Sequence, residues 1–157
     1  MEYIHYGHKS FDRNKFDSIK NRPELPKPFG GIWACRTDAD LSWKNWCEDT
    51  EFGANLKDNF IFTLSKNARI LVISDSNDLE KLPTIGTYTR EIYCCLDFEK
   101  LAEEYDAIEI YAGSNRDLYF KFYGWDCDSI LIMNPDIIEI GKKIEKSQEE
   151  LEEEIDM

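Results

Sequence analysis

The stretch from Lys27 to Cys47, KPFGGIWACRTDADLSWKNWC, constrains this chain more than any other. It holds three of the four tryptophans (Trp33, Trp43 and Trp46), a Gly-Gly pair and two cysteines. So much aromatic surface has to be buried or laid against a ligand, and Gly30-Gly31 gives a backbone that can approach closely. Ile32-Trp33-Ala34-Cys35 has the composition of a strand. Asp38 or Asp40 offers a cap for a helix carrying Leu41, Trp43, Trp46 and Cys47. A strand, a short turn and a helix are therefore expected to wall one side of a ligand cleft. Trp43 is expected in the core, and Trp33 or Trp46 as a stacking face. Pro23, Pro26 and Pro28 make Asn21 to Phe29 an irregular crossing loop, static or acting as a flap.

Around this stretch the elements alternate. Tyr3 to Tyr6 reads as a strand ended by Gly7, and Ser10 caps a helix running to about Lys20. Phe60 to Leu64 and Arg69 to Ile73 read as strands, and Ser74 to Leu82 as a short helix begun by Asp75 or Ser76. Asp97 caps a helix to Tyr105. Strands are expected at Ala107 to Tyr111, Leu118 to Tyr123, Ser129 to Met133 and Ile137 to Ile140. The order points to an α+β fold in a single compact domain, with split, mostly antiparallel β-sheets flanked by short helices. The domain is expected to span residues 1–141, with 142–157 an acidic C-terminal tail or helix.

At 157 residues the chain can bury about 70% of its unfolded surface, so neither a disulfide nor a metal is needed for stability. The five cysteines contain no CxxC and no histidine at zinc-finger spacing, so reduced, buried thiols and no metal are expected. No apolar run reaches 18 residues, and the N-terminus reads as a strand. A cytoplasmic protein that does not enter membranes is expected. The formal net charge of -13 repels phosphate backbones and argues against direct nucleic-acid binding. Seven acids and one lysine between Glu145 and Met157 carry nearly half of it, so the body can still hold a basic pocket for a small anion.

Three constellations carry possible chemistry. The only two histidines, His5 and His8, flank Gly7 at the end of the first strand. Gly31, Trp33 and Trp46 offer close backbone and a flat ring face for a planar heteroaromatic ligand. Asp126 and Asp128 precede an apolar strand and share a face if that strand begins early, which raises one carboxyl. Glu109, between Ile108 and Ile110, faces either solvent or a cleft.

Taken in order, these residues resemble the ADP-ribosyltransferase superfamily, with a site pattern similar to the poly(ADP-ribose) polymerase and diphtheria toxin branch. Ile4-His5-Tyr6-Gly7 looks like the first motif, with Tyr6 interposed where the family usually has His-Gly. The resemblance implies that His5 bonds an NAD ribose and that backbone near Gly7 holds the nicotinamide amide. Gly31-Ile32-Trp33-Ala34-Cys35 with Ser42-Trp43-Lys44-Asn45-Trp46 looks like the second motif. It implies a nicotinamide-binding Ser42 and a stacking Trp46 where the family has tyrosine. Asp126-Cys127-Asp128 is the nearest parallel to the catalytic Glu motif, with Glu109 as the fallback.

The function so implied is transfer of ADP-ribose from NAD to an intracellular macromolecular acceptor, a protein, with NAD as substrate and no metal. A degenerate member that only binds NAD is the intermediate case. The rival class is an acidic inhibitor or interaction module, mimicking nucleic acid or blocking a basic partner surface.

Overall fold

Seven runs with β-propensity form strands: Tyr3–Tyr6 (β1), Ile32–Arg36 (β2), Asn59–Leu64 (β3), Ile70–Ile73 (β4), Ala107–Tyr111 (β5), Asp128–Ile132 (β6) and Ile138–Glu139 (β7). They join in one sheet of order β4-β5-β6-β2-β1-β3-β7. All pairings are antiparallel except β4 with β5. A parallel pair needs a long crossover, and the connection between these two strands carries the helix Phe98–Glu104 (α2). The helices Trp43–Thr50 (α1) and Arg116–Lys121 (α3) complete a single α+β domain. This computed structural model describes residues 1–22, 25–85 and 93–141. The expected acidic tail at 142–157 lies outside the described residues, as do Pro23 and Glu24 of the crossing loop.

Both faces of the central strands β5 and β6 are covered, which explains why these two read as nearly unbroken apolar runs. Alternation along the strands sends Ile73, Ile108, Ile110 and Leu131 to one face, against Leu96, Phe98, Leu101, Leu118 and Phe122. Ala34, Ala107, Ile130 and Ile132 go to the other, with Tyr3, Phe62 and Ile137. Each large side chain so buried contributes about 1.5–3 kcal/mol.

Four local expectations change. The stretch from Ser10 to Lys20 is a single 3-10 turn at Arg13–Lys15, not a helix. Phe11 packs on Phe60 while Ile19 enters the core beside Leu131, so its apolar residues serve different places. Lys20 pairs with Phe29, and the Gly31 N–H donates to the Asp17 carbonyl. A Cβ on Gly30 would lie 2.2 Å from the Ser18 carbonyl oxygen, which is why a glycine stands there. Leu118 to Tyr123 is helical rather than extended. Asn115 caps α3 by accepting from the Leu118 N–H, and Leu118 and Phe122, one turn apart, are the buried pair. Ser42, not Asp38 or Asp40, caps α1, accepting from the Asn45 N–H at 3.3 Å. Ile137 belongs to a 3-10 turn at Pro135–Ile137, so the last strand is only β7. No helix among the described residues is long and apolar enough to cross a membrane.

Candidate functional site

β1 and β2 are neighbours, yet they pair at only two positions, Tyr3 with Arg36 and Ile4 with Cys35. β1 goes on pairing with β3 as far as Tyr6, while β2 pairs with β6 from Ile32 to Ala34. The two halves of the sheet therefore part at His5. Its Nδ1–H donates to the Trp33 carbonyl at 2.7 Å, bridging the opening. A carbonyl can only accept, so in the neutral ring Nε2 is left to accept from His8 Nδ1 at 2.9 Å. Burial lowers the pKa of His5, the Trp33 bond opposes that fall, and His8 adds to it. The ring stays neutral at ordinary pH.

A cavity of about 250 Å³ lies at this opening, lined by Tyr6, Lys27, Trp33, Cys35, Trp43 and Trp125, with His5, Cys127 and Ser129 among the others. Trp33 meets Trp125 edge to face at 4.6 Å between ring centroids. Lys27 Nζ sits 4.7 Å from the Trp33 centroid, a cation over a ring face. Burial pulls the Lys27 pKa down, with Asp126 and Cys127 opposing. The Trp125 indole donates to the Pro26 carbonyl at 3.0 Å, so the crossing loop is tied down at that point. Ligand sites for drug-sized molecules run from about 300 Å³ upward. This cavity suits one flat ring and its substituent.

A second cavity, of about 330 Å³, shares His5 and adds His8, Lys9, Lys15, Asp12 and Gly31. It brings together basic side chains in a chain whose net charge is strongly negative. A third, of about 200 Å³, is lined by Ser42, Trp46, Asp126 and Tyr119 among others.

The expected site residues divide among these places. His5, Tyr6 and Trp33 meet at the first cavity, and Gly31 joins His5 at the second. Ser42, Trp46 and Asp126 line the third. Gly7 lines none of the three; its N–H donates to the Asp58 carbonyl at 2.8 Å, and its φ of 113° explains the glycine. Trp43, expected in the core, is half-buried and lines the aromatic cavity. It stacks on Trp46 at 5.1 Å and 11°, and both meet Phe52.

The three acids also separate. Asp128 Oδ1 accepts from the Gly113 and Ser114 N–H groups at 3.0 and 2.8 Å, and Ser114 Oγ donates to Oδ2. Asp126 precedes β6 with a φ of 64°, so the two aspartates do not alternate along one strand as expected. Burial raises the Asp126 carboxyl and the Lys27 charge opposes the rise. Glu109 is 3% exposed and takes two bonds from Arg36, Nε at 2.8 Å and Nη2 at 2.7 Å. The pairing raises the Arg36 pKa. Alternation along β2 puts Arg36 on the face opposite Trp33 and Cys35, so Glu109 stands across the sheet from the aromatic cavity.

Lys27 and Cys35, from the stretch expected to wall the cleft, also line the aromatic cavity, and Trp125 and Cys127 line it without having been foreseen there. Gly124 before Trp125 was the available signal, since a glycine close before a tryptophan also occurs at Gly31 and Trp33. Among the described residues, no group of three or more His, Cys, Asp or Glu is arranged to hold a metal. No protein-family model matches the chain, and no curated protein or solved structure does either.

Proposed function

We propose that the protein is an ADP-ribosyltransferase-like binder of NAD. The observation that carries this reading is His5, a neutral ring shared by an aromatic cavity on one side and a lysine-containing cavity on the other. NAD has matching parts: a flat nicotinamide ring at one end and a pyrophosphate further along. The nicotinamide belongs against Trp33, with Tyr6 and Trp43 around it, and the phosphates toward Lys9 and Lys15. His5 lies at the junction, where the ribose between ring and phosphates passes.

Transfer asks more than binding. A carboxylate must stabilise the oxocarbenium-like ribose or position the acceptor. Asp126, Asp128 and Glu109 line neither of these two cavities, and two of them are engaged elsewhere by hydrogen bonds. The reading favoured here is binding with little turnover. Asp126, its carboxyl raised by burial, is the acid available for any residual release.

Calorimetric titration with NAD and with nicotinamide, run beside a nicotinamide-release assay, tests this. Binding of both with slow or no release is expected, and absence of NAD binding overturns the reading. The rival interaction module rests on charge, and its acidic segment lies outside the described residues. Truncation after Gly141 leaves NAD affinity unchanged if the cavities carry the function. Salt-sensitive loss of a protein partner with no NAD binding favours the rival.

A further inference from the structure

All five cysteines are reduced, and two of them share the floor of the aromatic cavity. Cys35 on β2 and Cys127, one residue before β6, bring their Sγ atoms to 3.9 Å. They are 2% and 3% exposed, so bulky reagents are kept out while a small oxidant that enters the cavity reaches both. Cys35 Sγ also accepts from the Trp43 N–H at 3.3 Å. Trp43 opens α1, where backbone N–H groups have no partner within the helix and the helix dipole favours negative charge.

The pair is therefore asymmetric. The Cys127 contact and the Trp43 N–H lower the Cys35 thiol below its ordinary value against the opposing effect of burial, and Cys35 is the sulfur of the two that accepts from a backbone N–H. The same contact and burial push Cys127 up. Burial raises the other three as well, Cys94 to about 11. Cys35 alone is prepared to ionise, with a protonated thiol in contact to follow it.

We propose that Cys35 and Cys127 form a peroxide-reducing dithiol site in the cavity floor, Cys35 attacking and Cys127 resolving. The Cys35 thiolate attacks one oxygen of hydrogen peroxide, and the O–O bond breaks. Hydroxide leaves and takes up a proton as water, and Cys35 becomes a sulfenic acid. The Cys127 sulfur then attacks the Cys35 sulfur, the S–O bond breaks, and the Cys127 proton leaves with hydroxide as a second water. Two thiols and one peroxide give one disulfide and two waters. The sulfurs must close to about 2.05 Å. That movement falls on Cys127, which lies outside the β6 ladder in a turn where Gly124 and Asp126 have positive φ. The site stands whether or not the cavity takes NAD.

The test is to expose the reduced, full-length protein to hydrogen peroxide, quench by alkylation in denaturant, which opens every remaining thiol to the reagent, and map the peptides. The expected first product is a Cys35–Cys127 disulfide, with Cys47, Cys94 and Cys95 still alkylated. Each unit of pKa difference is worth about tenfold in thiolate fraction, so Cys35 should be consumed at least ~10-fold faster than the more exposed Cys94. Cys127→Ser should stop at a Cys35 sulfenic acid, read as the gain of one oxygen in the mass of the intact protein, and Cys35→Ser should leave Cys127 unoxidised. Oxidation of Cys94 ahead of Cys35 overturns the proposal, and so does wild-type protein in which Cys35 and Cys127 stay alkylatable. Both of those readings come from the wild type, so neither depends on a variant folding.

Discussion

β5 and β6 pair at five consecutive positions, from Ala107 with Ile132 to Tyr111 with Asp128, whereas β1 and β2 stop after two. Both ladders are antiparallel and belong to the same sheet. The long one is packed on both faces: Ile108, Ile110, Ile130 and Leu131 are all 0% exposed. The short one is flanked by His5, Tyr6, Gly31 and Trp33, which carry polar atoms or no side chain. A continuous ladder satisfies its own backbone groups. Where this ladder parts, a side chain takes over, and the Trp33 carbonyl is served by His5. Pairing is given up where a cavity is gained, and the two ladders should respond differently to substitution.

The largest effect belongs to the long ladder. Glu109 on β5 is the buried half of an ion pair, and removing it leaves Arg36 without its partner. Glu109→Ala should cost about 3 kcal/mol by urea denaturation, the low end of the range for broken buried pairs, because Arg36 is partly solvated. NAD affinity should change little, since the pair lies across the sheet from the cavity. A loss under about 1 kcal/mol, or a collapse of binding with stability intact, breaks the comparison.

Next come the glycines at the opening. Gly30→Ala puts a methyl against the Ser18 carbonyl at a φ of 83°, and nothing soft is there to yield. A cost of about 2–3 kcal/mol is expected. Gly7→Ala, at a φ of 113° but in open space, should cost only about 1 kcal/mol. Equal losses at the two positions would mean that conformation alone, not close approach, holds the 17–20 segment against the glycine pair.

A smaller effect concerns binding. Trp33→Ala removes the ring that faces Lys27 and Trp125, and a stacking contribution of up to about 1.5 kcal/mol corresponds to about tenfold weaker NAD binding. Trp46→Ala, in a different cavity, should change affinity less than about twofold. The reverse ranking moves the ligand to the third cavity and restores Trp46 to the stacking role that the family resemblance implies.

What could be read in advance follows from how local each signal is. The bounds of β1 and β5 and the caps Asp75 and Asp97 are found where expected, because alternation and capping act within a few residues. Leu118 to Tyr123 misleads because its residues favour strands, and only packing shows that Leu118 and Phe122 bury together while Phe120 stays 53% exposed. The left-handed backbone at Asp126 has only a weak sequence marker, since aspartate enters that region more readily than most residues but usually stays out of it, so the expected aspartate pair could not be ruled out beforehand. His5, Tyr6 and Trp33 were legible as a group because a short strand and a Gly-Gly pair bound them. Cys35 and Cys127 read as inert small hydrophobes, since their contact and the Trp43 N–H arise only when β2, α1 and the Gly124–Cys127 turn come together.

The smallest expected effect is on pH dependence, and it separates the two ladders without any ligand. His5 titrates below its usual value because of burial, so between its folded value and about 6.5 the unfolded chain binds more protons than the native one. Stability from this group is fully present above about pH 6.5, falls as pH drops toward the folded value, and levels off below it. His5→Gln keeps a side-chain donor near the Trp33 carbonyl but removes the titration. Subtracting its urea-denaturation free energies from the wild type's, pH by pH, cancels the carboxylates common to both. The difference should slope upward with pH within that window and flatten on either side. The same subtraction with Tyr111→Phe, on the long ladder, should show no slope there, because the phenol titrates far above it and its environment raises it further. A flat difference for His5→Gln means that the imidazole is as easily protonated in the fold as outside it. The parted ladder would then be open to water, and burial would not be what keeps His5 neutral at the junction between the two cavities.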